Sequence, residues 1–192
     1  MPDPNPAAVD FLLSRRSRPA KTLQAPAPDR AALAPMLTAA LRSPDHGKLE
    51  PWRLIVLERA ALARLADLAV ARGRALGLDP EQVEKTRTSY ADSPLAVAVV
   101  SCPVASEKVP EVEQLYSAGA VCLALLNAAL ASGWGANWLS GWASHDRGFV
   151  EAGLQLAPGE SVAGIIHIGT ERAAPPERPR PDPAAKITWM DQ

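Results

Sequence analysis

Two arginines and a serine in direct succession, Arg15, Arg16 and Ser17, form the first grouping in this 192-residue chain that could do chemistry. A guanidinium presents several N–H donors in a fixed plane, and a seryl hydroxyl adds another, which suits them to phosphate oxygens. A second basic grouping, Arg42-Ser43-Pro44-Asp45-His46, leads into the stretch SPDHGKLEPWR. Two prolines, a glycine, an Asp–His pair, a lysine and a tryptophan exceed what a linker needs, and the prolines exclude a buried strand. The third grouping is GWGANWLSGW, residues 133–142. Tryptophan supplies flat apolar surface and glycine allows close backbone approach, both of which a planar ring requires. The three groupings describe a site for a ligand with an anionic tail and an aromatic head. The same residues also fit a solvated basic surface above a tryptophan-containing core, and residue chemistry alone leaves both open.

Other chemistries find less support. The three histidines, His46, His145 and His167, are scattered, with no paired spacing for a metal. His167 lies in an apolar run and reads as a core histidine; His145 follows Ser144, a candidate N-cap, and reads as a surface residue. No GxSxG elbow marks a serine hydrolase, and no GxGxxG joins a strand to a helix. Cys102 and Cys122 sit in apolar segments and read as small buried hydrophobes. Twenty basic against 21 acidic residues give a net charge of -1, which offers no footprint for duplex nucleic acid or an anionic membrane. The N-terminus MPDPNPAAVDF lacks the basic and apolar regions of a signal peptide, and no apolar run reads as long enough to span a bilayer. The expectation is a cytoplasmic single domain over residues 1–192, with no nucleic-acid or membrane partner.

The elements that must position these groups follow from periodicity and punctuation. Asn5 and Pro6 open a helix over Pro6 to Arg16 with Val9, Leu12 and Leu13 on its apolar face. Asp29 caps a second helix with Leu33, Met36, Leu37 and Leu41 on one side, and Pro35 requires that it start late or kink. Arg53 to Glu58 reads as a strand. A helix follows, ending near Gly77, and Asp79-Pro80 opens another. Leu95 to Cys102, a continuous apolar run between prolines, reads as a central strand. The longest helix spans Glu111 to Ser132 and stops at Gly133; its Ser117 to Ala120 are small residues open to close approach. Ala136 to Leu139 and Ala163 to Thr170 read as strands with a short helix after Ser144 between them. The proline-rich tail cannot form a core, yet it ends in the strand-like Ile187 to Met190. An arm over residues 174–192 that reaches a second subunit is the expectation.

LLSRRS, RSPDHGKLEPWR, YSAGA, GWGANWLSG, GIIHIGT and PDPAAKITWM occur in that order along the chain. In this the chain resembles the bacterial nitroreductase family, in particular its small YdjA-like members. The resemblance implies an α+β homodimer with a central, mostly antiparallel sheet flanked by helices, a C-terminal arm exchanged between subunits, and FMN at the subunit interface. By the same resemblance Arg15, Arg16 and Ser17 match one FMN-binding element, and Arg42 and His46 match a second supplied across the interface. Trp138, Leu139 and Ser140 match the segment against the flavin, and the loop Ser43 to Arg53 frames it. Glu50 stands where the family has Gln, Leu139 where close relatives have Arg, and Pro19 where the family often has Lys. Lys48 and Arg42 are then the candidates for the cation beside the reduced flavin's pyrimidine edge. The implied activity carries electrons from NAD(P)H through FMN to nitroaromatic or quinone-type acceptors. Alternatives on the same fold are an FMN-scavenging module with little turnover and a flavin-modifying or dehalogenating enzyme.

Overall fold

A computed structural model describes residues 3–191. Seven helices and five strands are found among them: α1 (Pro6–Ser14), β1 (Leu23–Gln24), α2 (Arg30–Ala40), β2 (Trp52–Leu57), α3 (Arg59–Ala75), α4 (Pro80–Ala91), β3 (Leu95–Ser101), α5 (Glu111–Ala131), β4 (Gly135–Leu139), α6 (Trp142–His145), α7 (Arg147–Leu154) and β5 (Ser161–Glu171). β5 organises the sheet. β3 pairs with it from Leu95↔Ile168 to Ser101↔Ser161, and β4 pairs with it from Gly135↔Gly169 to Leu139↔Ile165. Because Ile165 to Ile168 pair twice, β3 and β4 must flank β5 on opposite sides. β2 extends the sheet beyond β3 and β1 takes the last two residues of β5; every pairing is antiparallel. The expected α+β architecture is present.

Helices cover both faces of the sheet, which is why β3 reads as a continuous apolar run although it is antiparallel. Its Leu95, Val97 and Val99 join Leu33, Met36, Val121 and Leu125 from α2 and α5. Its Ala96, Ala98 and Val100 join Leu62, Leu65 and Phe149 from α3 and α7. Alternation along one strand thus feeds two cores, as the period of two requires.

Several boundaries depart from the sequence reading for physical reasons. α1 stops at Ser14 because Arg15 leaves helical geometry at φ -56°, ψ 142°. α2 does not start late: it begins at Arg30 under the Asp29 cap and carries Pro35 inside it. Between β4 and β5 there are two short helices, not one. Asp146, not Ser144, is the cap of α7, its carboxylate accepting from Phe149 N at 2.8 Å, while Ser144 is buried within α6. Cys102 is half-buried rather than buried, its Sγ donating to Glu160 Oε1 at 3.2 Å. α5, at 21 residues, is long and apolar enough by length and composition to cross a membrane, which corrects the expectation on apolar runs. Its Val121, Cys122, Leu125 and Ala129 are buried against the sheet, so its hydrophobicity is that of a core helix.

Three apolar stripes lie uncovered on the single chain. No residue of α1 is buried, and Leu13 is 76% exposed. α5 turns Val112, Leu115, Tyr116 and Leu123 outward. Among the described residues the tail, read as strand-like, has only a single 3-10 turn at Pro183–Ala185; Ile187, Trp189 and Met190 follow it in exposed, irregular backbone.

Candidate functional site

The exit from α1 sets the first part of the site. Released from the helix, the chain runs beside β4: Arg18 N donates to Ala136 O at 2.8 Å, and Asn137 Nδ2 donates to Arg18 O at 2.8 Å. Two segments more than a hundred residues apart in the sequence, 15–17 and 138–140, are therefore anchored to the same strand. Arg15 Nη2 donates to Ser17 Oγ at 2.9 Å and Arg16 Nη1 to Ser17 O at 3.3 Å. The Nε atoms of Arg15 and Arg16 are both buried and have no hydrogen-bond partner among the described residues. Buried donors without acceptors are costly, roughly 1–3 kcal/mol each and more when charged, unless a ligand satisfies them.

Arg180 is a part of this cluster that the sequence reading missed. Its Nη2 donates to Arg15 O at 3.3 Å, bringing the proline-rich tail back over the end of α1. Burial first, then the charges of Arg180 and Arg16, push the Arg15 guanidinium below its ordinary pKa. Three guanidinium groups crowd one place, partly balanced by Glu177, whose carboxylate lies 2.9 Å from Arg180. The only signal in the sequence was a pair of arginines among prolines, which an exposed arm also contains. Beside the cluster lies a cavity of about 380 Å³ lined by Arg15, Arg16, Arg18, Trp134 and Gly135. Guanidinium groups lining one cavity fit a phosphate group, and Glu171, which lines the same cavity, is paired with Arg18 at 2.9 Å.

The loop from Ser43 to Arg53 is pinned rather than free. Trp52 Nε1 donates to Ser117 Oγ at 3.0 Å, and that hydroxyl donates to Pro44 O at 2.8 Å. Glu50 N donates to Asp45 Oδ2 at 2.7 Å, and Cys102 N to Pro51 O at 2.8 Å. Gly47, Lys48 and Glu50 all adopt positive φ, a conformation that non-glycine residues hold only when their surroundings over-determine it. His46 Nε2 lies 3.3 Å from Glu113 Oε2, on a cavity shared with Tyr116 and Ala120 on the uncovered side of α5. Arg42 is exposed at the end of α2. Among the described residues no hydrogen bond joins Arg42 or His46 to Arg15, Arg16 or Ser17, so one chain does not bring the two basic groupings together.

The third grouping divides along its strand. Trp138 covers Gly164 so closely that any side chain there would collide with the indole. Leu139 and Ser140 line a cavity of about 290 Å³ between α4, α6 and β5, with Trp142 on the same wall. At its depth are Tyr90 and His167, 3% and 2% exposed. Burial lowers His167 to a pKa of about 4 and raises that of Tyr90, so both are neutral. His167 Nδ1 lies 2.9 Å from Ser93 Oγ, and Ser93 donates its own proton to Leu95 O at 3.0 Å. The ring must therefore donate from Nδ1, as a core histidine held in one tautomer. The cysteines take no part: burial raises Cys102 to about 11 and Cys122 to about 12, so neither is a thiolate.

The site thus sits on an antiparallel sheet covered by helices, with an arginine-lined pocket beside its β4 edge. The nitroreductase family profile matches residues 12–170, and the chain belongs to that family. It is 32% identical over 184 residues to YdjA of Escherichia coli (strain K12), provisionally named an NAD(P)H nitroreductase, covering 95% of this chain and 99% of that one. A Haemophilus influenzae protein given the same provisional name is 37% identical over 164 residues, covering 85% and 88%. Among solved structures, a nitroreductase-like protein from Bacillus cereus superposes with a TM-score of 0.76 at 21% identity over the whole of both chains. A family member from Desulfovibrio desulfuricans in complex with FMN superposes at 0.73 and 21% identity, covering 98% of both. These structural likenesses establish the fold, and family membership establishes the oxidoreductase class.

Proposed function

We propose that the protein is an FMN-dependent oxidoreductase that takes reducing equivalents from NAD(P)H and passes them to a nitroaromatic or quinone-type acceptor. The observation that carries this reading is the pair of buried, unpartnered Nε donors on Arg15 and Arg16. A monoester phosphate fits them, and the ring attached to such a phosphate would lie along β4 toward Trp138, Leu139 and Ser140. Bound FMN supplies hydride acceptance and delivery. The chain's own part is to hold the phosphate through Arg15, Arg16 and Ser17 and to bound the ring with the end of β4. Lining groups that are neutral, such as His167 and Tyr90, give no reason to assign a protein general acid.

The reading includes a homodimer. The three uncovered apolar stripes, on α1, α5 and the tail, gain stability only when a second surface covers them. Arg42 and His46 would then complete the site from the second copy, with the loop Ser43 to Arg53 framing the ring. An absorption spectrum of the purified protein, followed by anaerobic NAD(P)H titration and turnover with varied acceptors, tests the reading. A bleachable flavin spectrum and sustained acceptor-dependent NAD(P)H oxidation support it. A colourless protein that takes up no added FMN refutes it. Tight flavin without turnover would leave a scavenging module, and altered flavin products under oxygen would indicate a flavin-modifying enzyme.

A further inference from the structure

At the depth of the cavity between α4, α6 and β5, two polar atoms on buried side chains have nothing to bond. His167 is 2% exposed and donates from Nδ1 to Ser93, which does not line the cavity, so the ring reaches the cavity with its opposite edge. On that edge Nε2 makes no hydrogen bond among the described residues, and unlike the indole nitrogen of Trp142 it is not closed off from solvent. The same holds for Oη of Tyr90, whose ring centre lies 6.4 Å from that of His167. Because Nδ1 carries the proton, Nε2 presents only a lone pair, whereas the tyrosyl hydroxyl can give or take. Buried polar groups of this kind cost stability unless something in the cavity meets them.

A group that meets the Nε2 lone pair must be a donor, which excludes a bare carbonyl or nitro group at that point. No aspartate or glutamate lines the cavity, while the exposed Lys85 does, so a cationic donor is disfavoured. A neutral hydroxyl satisfies both atoms: its O–H donates to Nε2 and its oxygen accepts from Tyr90 Oη. Leu139, Trp142 and Ile165 supply apolar wall around it, and the volume is about 290 Å³, against the roughly 150 Å³ that holds a benzene ring. We propose that this cavity binds a small neutral hydroxyarene, held through His167 Nε2 and Tyr90 Oη. As a binding site it does not depend on the flavin. Its role rests on the proposed function: Leu139 and Ser140 belong both to the cavity and to the segment assigned to the ring, so a nitroarene or quinone that bears a phenolic hydroxyl becomes the preferred acceptor.

The test uses the full-length protein, with and without added FMN, and two probes that differ by one donor: phenol and its methyl ether, anisole. Ligand-observed NMR or calorimetry gives both affinities. Wild type is expected to prefer phenol about ten-fold, the effect of a single well-made hydrogen bond. Tyr90→Phe and His167→Asn, the second keeping a donor toward Ser93, should each cut that preference to about two-fold while anisole binding stays within a factor of about two. Comparing the two probes within each variant separates a lost hydrogen bond from a disturbed fold. The proposal is overturned by a wild type without preference, by a preference that survives both substitutions, or by a loss that falls on both probes alike in both variants. FMN and phenol that exclude one another would also overturn it, assigning the cavity to the flavin ring. Phenol selectivity in a protein that takes up no FMN upholds the site and refutes the function reading. A flavin-loaded protein without that selectivity overturns the site and leaves the function reading intact.

Discussion

Replacing Arg15 by methionine keeps the length and apolar stem of the side chain and deletes the guanidinium. In the ligand-free protein this removes a buried Nε donor without a partner and relieves repulsion from Arg16 and Arg180. Stability without ligand should therefore hold or rise, the opposite of what truncating a structural ion pair does. With ligand the sign reverses, because a charge-assisted contact to phosphate contributes about 1.5–3 kcal/mol. The lower figure corresponds to about a ten-fold loss of FMN affinity. At an FMN concentration about 100 times the wild-type Kd, ligand binding stabilises the native state by about 2.7 kcal/mol; after a ten-fold loss, by about 1.4 kcal/mol. In a chain of this length the difference lowers the FMN-dependent gain in Tm by roughly 3–5 °C. Thermal unfolding of both proteins with and without FMN measures all four quantities. An equal FMN-dependent gain in the two proteins would refute the assignment of Arg15 to the phosphate, and a large loss of stability without ligand would mark the arginine as structural.

Three further outcomes are expected. His167 titrates at about 4 in the native protein against an unfolded value near 6.5, so the unfolded chain binds the extra proton and stability is lost as pH falls from 6.5 toward 4. Chemical denaturation should show wild type losing about 2 kcal/mol between pH 7 and 4.5 through this group; His167→Asn, which keeps a donor toward Ser93, should lack that component, and parallel pH profiles would refute it. Glu160 is held at about 2, chiefly by its two 2.8 Å hydrogen bonds from Arg53, so its contribution is complete above about 4.5 and is lost as pH falls toward 2. Glu160→Gln should cost about 1–2 kcal/mol at pH 7 and flatten acid unfolding in that lower window, whereas an unchanged slope there would count against the pairing. Deleting the residues after Pro175 should weaken both self-association in sedimentation and FMN retention, while Arg180→Ala should weaken retention alone; a full-length monomer that holds FMN stoichiometrically would defeat the shared-site reading.

Local chemistry already visible in the chain determined most of the elements. Asn5-Pro6, Asp29 and Asp79-Pro80 start helices wherever they stand, because a side-chain oxygen satisfies amide groups left free at a helix start. Gly133 ends α5 at φ 83° for the same local reason. The unbroken apolar run of β3 told that both faces of that strand are covered. What the sequence could not determine is which groups end up facing one another. Ser144 and Asp146 are both competent caps, and only the docking of α7 on α3, with Arg72 bonded to Asp146 at 2.8 and 2.9 Å, selects the second. Arg180 becomes part of the Arg15 and Arg16 cluster because the tail folds back, and no periodicity encodes that return. Lys85 and Glu84 are adjacent and equally hydrophilic, yet one lines the cavity beside Ser140 and the other pairs outward with Arg87. Caps and burial patterns depend on interactions a few residues apart; site membership depends on contacts across a hundred or more, which only the packed sheet and its helices bring into register.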